Sequence, residues 1–358
     1  MQRSRIVVGR AVACGLALAL ALVIASPRTA LASDATTSWS QVTGQSAFSG
    51  VTLTDMTCPT ADQCFATGYS SSNQVILEDT DGTWTAQTVP RPGGEQFGEF
   101  ASISCVSASD CIAAGYYAVQ QSPGFNIYET LIAAWNGSTW SQVSSPNQGD
   151  TYNFLRGVTC TSAGGSNQCT AVGDWESTSG MSTGYRTLIA DGTETNGTWS
   201  FTAASSPDPG MTNNMLQAVS CPTATSCIAV GHAETYFQQT GNFSGALALQ
   251  GTQTGGVWSW STLSTDDTGG VLAGLDCTSA TACMAVGNQG SPTQSLVETW
   301  NGSGGFTVAP SPNPGGYSSS LGSLSCVSAS NCTAVGYAQD TDSSPEAALV
   351  EQWDGANW

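Results

Sequence analysis

Residues Ile103 to Tyr117 have the sequence ISCVSASDCIAAGYY, and closely similar segments occur five more times along the chain. They are MTCPTADQCFATGY (56–69), VTCTSAGGSNQCTAVGDW (158–175), VSCPTATSCIAVGHA (219–233), LDCTSATACMAVGNQ (275–289) and LSCVSASNCTAVGYA (324–338). Their first cysteines are 47 to 61 residues apart. A period near 50 residues in a β-rich sequence is typical of propeller blades, whereas helical solenoid repeats are shorter. The repeat therefore predicts an all-β, six-bladed β-propeller.

Each copy predicts four short antiparallel strands. In the second copy they are FASISC (100–105), CIAAGYY (111–117), ETLIAAW (129–135) and TWSQVSS (139–145), which alternate or are rich in β-branched and aromatic residues. Asn136-Gly137 lies between the third and fourth strands, and Asn-Gly or Asp-Gly fills this place in other copies. We expect tight hairpin turns there, with positive φ at both central residues.

The two ends of the mature chain predict how the ring closes. The sixth copy supplies three strands, the last being AALVEQW (347–353), while TSWSQVTG (37–44) near the start closely matches STWSQVSS (138–145). We expect residues 37–44 to pair with the C-terminal blade as its fourth strand. Such closure would remove the open sheet edges and make residues 33–358 one domain.

The first 32 residues predict an export signal. Arg3, Arg5 and Arg10 precede the apolar run AVACGLALALALVIA (11–25), and Ala30 to Ala32 form a small-residue cleavage site. A membrane anchor is the alternative, but the run is shorter than the roughly 20 apolar residues that a spanning helix needs. We expect cleavage near Ala32 and a secreted, extracellular protein without a membrane anchor.

The charge of the mature chain limits its partners. There is no lysine, and three arginines remain against 26 acidic residues, a net charge of −23. Such a surface repels phosphate backbones and anionic lipids, so nucleic acid and membrane partners are not expected. We expect a monomer, with a glycan or an extracellular protein as the partner.

Twelve cysteines remain after the leader with Cys14 is removed, two per copy, with five intervening residues in five copies and eight in the third. An even, regular set in an exported chain predicts disulfides within each copy. Zinc is the competing interpretation, but it would need closer spacing and a second pair or histidines, and His232 is the sole histidine. The predicted pairs are Cys58–Cys64, Cys105–Cys111, Cys160–Cys169, Cys221–Cys227, Cys277–Cys283 and Cys326–Cys332.

In an up-and-down blade the cysteine turn and the Asn-Gly turn lie on one face of the disc. The opposite face, here called the loop face, receives connections that vary in length, and variable loops on a rigid scaffold usually carry binding residues. Aromatic, carboxylate and guanidinium side chains are concentrated there in the third and fourth copies, which suits sugars or peptides. The candidate ligand-binding residues are Tyr152, Arg156, Asp174, Trp175, Glu176, Tyr185, Arg186, His232, Glu234 and Tyr236.

The turns DTDGTW (79–84) and WNGSTW (135–140) resemble degenerate Asp boxes. Over nearly all the mature chain, the repeat resembles those of secreted bacterial β-propellers of the broad sialidase-like and kelch-like kind. A catalytic sialidase would need three arginines that grip a carboxylate, a tyrosine nucleophile with a glutamate partner, and an aspartic acid. Only Arg91, Arg156 and Arg186 survive processing, and two of them fall in one copy.

We therefore expect a non-catalytic recognition module that binds a glycan or a protein on the loop face. The alternative is a sialidase-like glycosidase or lyase that uses carboxylates and arginines on the same face. No cofactor is expected. Calcium could use the oxygens at Asp266 and Asp267 or at Asp340 and Asp342, but neither segment follows a complete calcium-loop pattern.

Overall fold

The structure, a computed structural model, describes residues 46–358 except 72, 178–183, 210–211, 238–240, 267–268 and 315, and it leaves out the side chains of 235–237 and 241–244. Within these residues, six antiparallel sheets follow one another along the chain. Five have four strands and the last has three. The predicted six-bladed β-propeller is confirmed.

A short 3-10 helix, Ser46–Phe48, precedes the first blade. Blade 1 contains β1 Val51–Thr60, β2 Gln63–Ser70, β3 Asn73–Thr80 and β4 Thr83–Ala86. Blade 2 contains β5 Glu95–Ser107, β6 Asp110–Ser122, β7 Phe125–Trp135 and β8 Trp140–Val143. Blade 3 contains β9 Asn153–Ala163, β10 Ser166–Ser177, β11 Gly184–Thr195 and β12 Thr198–Ala203. Blade 4 contains β13 Asn213–Thr223, β14 Ser226–Phe237, β15 Gly241–Thr254 and β16 Val257–Leu263. Blade 5 contains β17 Gly270–Ser279, β18 Ala282–Gln289, β19 Gln294–Trp300 and β20 Thr307–Ala309, and blade 6 contains β21 Ser318–Ser328, β22 Asn331–Gln339 and β23 Ala347–Trp353.

The connections between the second and third strands of blades 2 and 4 are largely strand, where described, rather than the variable loops that the sequence predicts. In blade 3 the strands extend to Ser177 and from Gly184, and residues 178–183 lie outside the described residues. In blade 2 the pairing of β6 with β7 continues past Tyr117 to Gln120 opposite Asn126. The intervening pairs join Ala118 to Tyr128 and Val119 to Ile127, residues that favour a pleated surface. The second strand has 12 or 13 residues in blades 2 to 4 and 8 or 9 in the others. The loop face is therefore taller on the side of blades 2 to 4.

The turns between the third and fourth strands are of two kinds. Asp81-Gly82 and Asn196-Gly197 have positive φ at both residues, as predicted. In the longer NGST turn of blade 2, Gly137 has positive φ but Asn136 does not. The Asn136 carboxamide oxygen instead accepts hydrogen bonds from the backbone N–H groups of Ser138 and Thr139, at 3.0 and 2.9 Å. This Asx turn corrects the prediction of one common hairpin type.

The apolar core lies between successive blades. Alternate residues of a sheet point to the two neighbouring blades, so blades 2 to 5 each contribute to the clusters on both sides of them. Between blades 2 and 3, for example, Ile112 and Ile132 pack with Leu155 and Leu188, and all four are fully buried. Corresponding clusters join blades 1 to 2, 3 to 4, 4 to 5 and 5 to 6.

Blade 6 presents an exposed face beyond the last of these junctions. Val335 and Val350 are 41% exposed, whereas Val286 and Val297, at the same positions in blade 5, are fully buried. The first strand of each blade contacts the first strand of the next blade along the chain. Among the described residues, β21 of blade 6 makes no comparable contact with β1 of blade 1. Residues 37–44, predicted to close the ring, lie outside the described residues, so that closure stays a prediction.

All six predicted disulfides are present, each with Cα atoms 3.9 to 4.0 Å apart across the first hairpin of its blade. Such a set indicates an oxidising compartment outside the cytoplasm. In the part of the chain that the structure describes, no helix is long and apolar enough to cross a membrane.

Candidate functional site

Arg156 is placed by a β-bulge in the innermost strand of blade 3. Gly173 of β10 pairs with Leu155 and Val172 pairs with Gly157, so Arg156 is left without a cross-strand partner. A Cβ atom on Gly173 would lie 1.9 Å from the Phe154 carbonyl oxygen, so this close approach requires glycine. Bulges commonly redirect a side chain next to a functional site. The residues at the equivalent bulges of the other five blades are Thr54, Ala101, Gln217, Ala273 and Gly322, all uncharged.

Arg156 forms an ion pair with Asp174, which directly follows Gly173. Its Nε donates to Asp174 Oδ1 at 2.5 Å; the Asp174 side chain is fully buried and that of Arg156 is 32% exposed. Burial raises the pKa of Asp174, although Arg156 opposes the shift. Burial lowers the pKa of Arg156, but attraction to Asp174 outweighs it and the net change is upward. Asp174 Oδ2 is buried without a hydrogen-bond partner among the described residues.

Aromatic rings surround the guanidinium. The Arg156 Cζ atom lies 5.3 Å from the centroid of the Phe154 ring, a cation–π distance. Tyr116 meets the Phe154 ring edge-on, with centroids 4.7 Å apart. Tyr128 and Tyr152 stack with centroids 5.3 Å apart and planes at 14°. All four rings are half-buried, so each keeps some surface open to solvent.

Tyr116 and Glu99 form a hydrogen-bonded pair beside this cluster. The Tyr116 hydroxyl donates to Glu99 Oε2 at 3.0 Å. Burial raises the pKa of Glu99, opposed by the Tyr116 hydrogen bond and the charge of Arg156. Burial and the Glu99 carboxylate both raise the pKa of Tyr116, so its hydroxyl stays protonated at neutral pH. We call Arg156, Asp174, Phe154, Tyr116 and Glu99 the Arg156 cluster.

Tyr185 and His232, two further candidates from the sequence, lie close enough to Arg156 to interact with its charge. Burial raises the pKa of Tyr185, as do the carboxylates of Glu176 and Asp174. Burial lowers the pKa of His232, which Glu234 partly offsets and Arg156 reinforces, so the imidazole is neutral at neutral pH. His232 Nδ1 is buried without a hydrogen-bond partner among the described residues.

The other predicted residues have separate local contacts. Glu176 accepts a hydrogen bond from Thr151 Oγ1 at 2.8 Å, and Glu234 accepts one from Asn213 Nδ2 at 3.0 Å. Trp175 packs against the apolar cluster between blades 2 and 3, which is a structural position. The side chain of Tyr236 lies outside the described part of the chain.

The three arginines among the described residues have three different partners. Arg91 pairs with Glu95 at 3.0 Å, Arg156 pairs with Asp174, and Arg186 lies 3.9 Å from Asp208. Each guanidinium is therefore next to a carboxylate of its own.

Tyr116, Glu99 and Tyr128, all from blade 2, were not among the candidates from the sequence. One alignment signal could have identified Tyr116. The residue after the glycine in the second strand of each copy lies at a common position, occupied in the six blades by Tyr69, Tyr116, Asp174, His232, Asn288 and Tyr337. Because Asp174 and His232 at this position were candidates, the same position in the neighbouring copy, Tyr116, also qualifies as a candidate ligand-binding residue.

A separate cleft of about 580 Å³ lies on the disulfide face between blades 2 and 3. Asn167 Nδ2 bridges two carboxylates there, with 2.5 Å to Asp110 Oδ2 and 2.7 Å to Glu194 Oε2. Trp199 Nε1 donates to Asp110 Oδ1 at 3.2 Å. Burial and the charge of Glu194 raise the pKa of Asp110. In the described residues no group of three or more His, Cys, Asp or Glu side chains is arranged to hold a metal ion.

Comparison with known proteins supports the fold. No protein-family model matches the chain, and no curated protein matches its sequence. A structure of a protein of unknown function from Dyadobacter fermentans has a TM-score of 0.52 at 10% identity and covers 85% of this chain and 95% of its own. An α-L-arabinanase from Penicillium chrysogenum complexed with arabinobiose has a TM-score of 0.49 at 12% identity, covering 85% and 94%. YCF48 bound to D1 peptide has a TM-score of 0.37 at 12% identity, covering 80% and 91%. At 10% identity the likeness to the Dyadobacter fermentans protein concerns the fold alone. The other two, with TM-scores below 0.5, support no further conclusion.

Proposed function

We propose that this protein is a secreted, non-catalytic recognition module that binds a glycan or a protein on the loop face, at the Arg156 cluster. The observation that carries the proposal is the bulge in blade 3, which has a charged residue where the five other blades have uncharged ones. Arg156 keeps a third of its side chain exposed, and among the described residues its guanidinium has no hydrogen-bond partner besides Asp174. Its outer N–H groups are available to a ligand.

Few residues for covalent catalysis are present at the cluster. Burial and the Glu99 carboxylate both raise the pKa of Tyr116, so its hydroxyl is protonated at neutral pH and could act as a nucleophile only if Glu99 took its proton. With every described cysteine in a disulfide and no lysine in the chain, thiolate and Schiff-base chemistry have no residue to use.

The test is a binding screen of the mature, oxidised protein against immobilised glycans and peptides, followed by titration of any hit. We expect Tyr116→Ala to weaken binding about tenfold or more, which corresponds to about 1.4 kcal/mol. Tyr337→Ala is the matched control, because Tyr337 has the same place in blade 6 and is 36% exposed, whereas the site is formed by blades 2 and 3. Equal loss in both variants would contradict the proposed location.

A glycosidase or lyase is the second candidate, favoured by the Tyr116 and Glu99 pair beside Arg156 and Asp174. Product formation from a bound glycan, abolished by Tyr116→Phe but not by Tyr337→Phe, would establish catalysis and replace the recognition proposal.

A further inference from the structure

The charges of the Arg156 cluster limit what its ligand can be. Arg156 and the buried Asp174 compensate each other, and Glu99 adds a carboxylate that is only half-buried. An anionic ligand would meet Glu99 and the field of a mature chain with net charge −23. A cationic ligand would meet the exposed edge of the Arg156 guanidinium. Ligands of either sign therefore encounter a like charge at the centre of the site.

The hydrogen-bonding groups of the cluster suit an uncharged ligand that both donates and accepts. The outer N–H groups of Arg156 can only donate, and an ionised Glu99 can only accept. Hydroxyl groups on adjacent carbons of a sugar can accept from the former and donate to the latter. A thioether can only accept, but a peptide amide can also do both, so the choice of a sugar over a peptide depends on the aromatic rings.

The aromatic rings supply an apolar surface next to these groups. Tyr128 and Tyr152 are nearly parallel and half-buried, and Phe154 is tilted against Tyr128 with centroids 5.4 Å apart. The C–H face of a sugar ring can pack on such a surface, and its hydroxyls then point outward from the ring edge. Tyr128 belongs to β7, Phe154 belongs to β9 and Tyr152 directly precedes β9, so strands of two neighbouring blades position these rings.

Resting on the proposed function, we infer that the ligand of the Arg156 cluster is an uncharged sugar chain, packed on Tyr128 and Tyr152 and hydrogen-bonded by Arg156 and Glu99. Sialylated, sulfated and uronic acid chains would be repelled by the Glu99 carboxylate and by the net negative charge of the chain.

The experiment compares matched probes on the mature, oxidised protein. Cellohexaose, xylohexaose, mannohexaose and laminarihexaose are the uncharged probes, and sialyllactose, oligogalacturonate and a heparin hexasaccharide are the anionic ones. Each is titrated by calorimetry at low and high salt. We expect binding by at least one uncharged probe, with a dissociation constant that changes less than twofold between low and high salt, because no net charge is screened.

Variants then locate the binding. Tyr152→Ala should weaken binding of that probe at least tenfold, whereas Tyr317→Ala, an exposed tyrosine of blade 6, should leave it unchanged. Arg156→Lys tests the hydrogen-bonding edge while keeping the charge beside Asp174, and we expect at least a fivefold loss. Circular dichroism checks that each variant is folded. An unchanged constant in both Tyr152→Ala and Arg156→Lys would overturn the inference.

The failures of the two proposals are distinguishable. Binding confined to anionic probes, and weakened more than tenfold by salt, would overturn the uncharged ligand but leave a recognition module at this site. Binding of peptides alone would also overturn the sugar but not the module. Release of shortened products would overturn non-catalytic recognition itself, and binding of no probe in either screen would count against both.

Discussion

Val297→Thr and Val350→Thr test whether the exposed face of blade 6 is exposed in solution. The two valines have the same position in blades 5 and 6, but Val297 is fully buried and Val350 is 41% exposed. Threonine keeps the shape of valine but has a hydroxyl in place of one methyl group. In the cluster between blades 5 and 6 that hydroxyl would have no partner, which costs about 1–3 kcal/mol. At Val350 it can reach water, so we expect a change within about 0.5 kcal/mol.

The assay is guanidinium unfolding of the oxidised protein followed by tryptophan fluorescence, with midpoints and slopes compared at one protein concentration. Val286→Thr and Val335→Thr form a second pair with the same contrast in burial, so the result does not depend on one position. Equal losses within both pairs would refute the reasoning. They would mean that the face of blade 6 is covered in solution, which is the outcome expected if residues 37–44 close the ring.

Three further predictions concern the cross-links, a buried carboxyl and the ion pair. Replacing Cys105 and Cys111 together by serine should lower the free energy of unfolding by about 2 kcal/mol for a loop of this size, measured as a lower unfolding midpoint. The wild-type protein with this one disulfide reduced should have the same midpoint. Burial raises the pKa of Asp191 to about 6. Between about pH 4 and pH 6 the folded state therefore keeps a proton that the unfolded chain has lost, so the free energy of unfolding should fall as the pH rises through this range. Asp191→Asn should reduce that fall by up to about 3 kcal/mol, as measured by unfolding at a series of pH values. An unchanged pH dependence in the variant would contradict the assignment. Arg156→Ala should cost about 3–5 kcal/mol because it leaves Asp174 buried and unpaired, and Asp174→Ala in the same chain should recover part of the loss; a double variant less stable than either single one would argue against the pair.

The periodic features of the sequence were sufficient to predict the fold. The recurring pair of cysteines defined the blades, and the distance within each pair predicted the six disulfides that the structure contains. Both inferences depend on local pattern, because cysteines about six residues apart on a tight hairpin come together wherever the blade lies. The general location of the candidate site on the loop face follows from the same topology.

Details that depend on side-chain competition or on neighbouring blades were not predictable. Asn136 does not have the positive φ that its Asn-Gly sequence predicts. Its side chain stabilises a different turn by accepting two backbone hydrogen bonds. The longer hairpin of blade 2 contains Pro123 and Gly124 and therefore resembles a loop in sequence, although pairing continues up to it. Tyr116 and Glu99 lie 17 residues apart, and only the bulge of the next blade brings Arg156 beside them.

Trp358 packs at the end of blade 6 as Trp140 does in blade 2. Its ring lies 5.9 Å from that of Trp353, as Trp140 lies 5.5 Å from Trp135 in blade 2. Asp354 N donates to Asn357 O at 3.1 Å, which matches the turn between Asn136 and Thr139. The sequence comparison gave this place to Trp39, which lies outside the described residues, so the pairing of residues 37–44 with blade 6 stays a prediction.

The confinement of every disulfide to one hairpin has a consequence for how the protein matures. Each described cysteine has its partner six or nine positions away, so a pair can oxidise as soon as its own hairpin forms in an oxidising compartment. Among the described cysteines no thiol has to wait for a later segment, and none is left to exchange with those of the next blade. A module could be added or lost by recombination without disturbing the oxidation of the others.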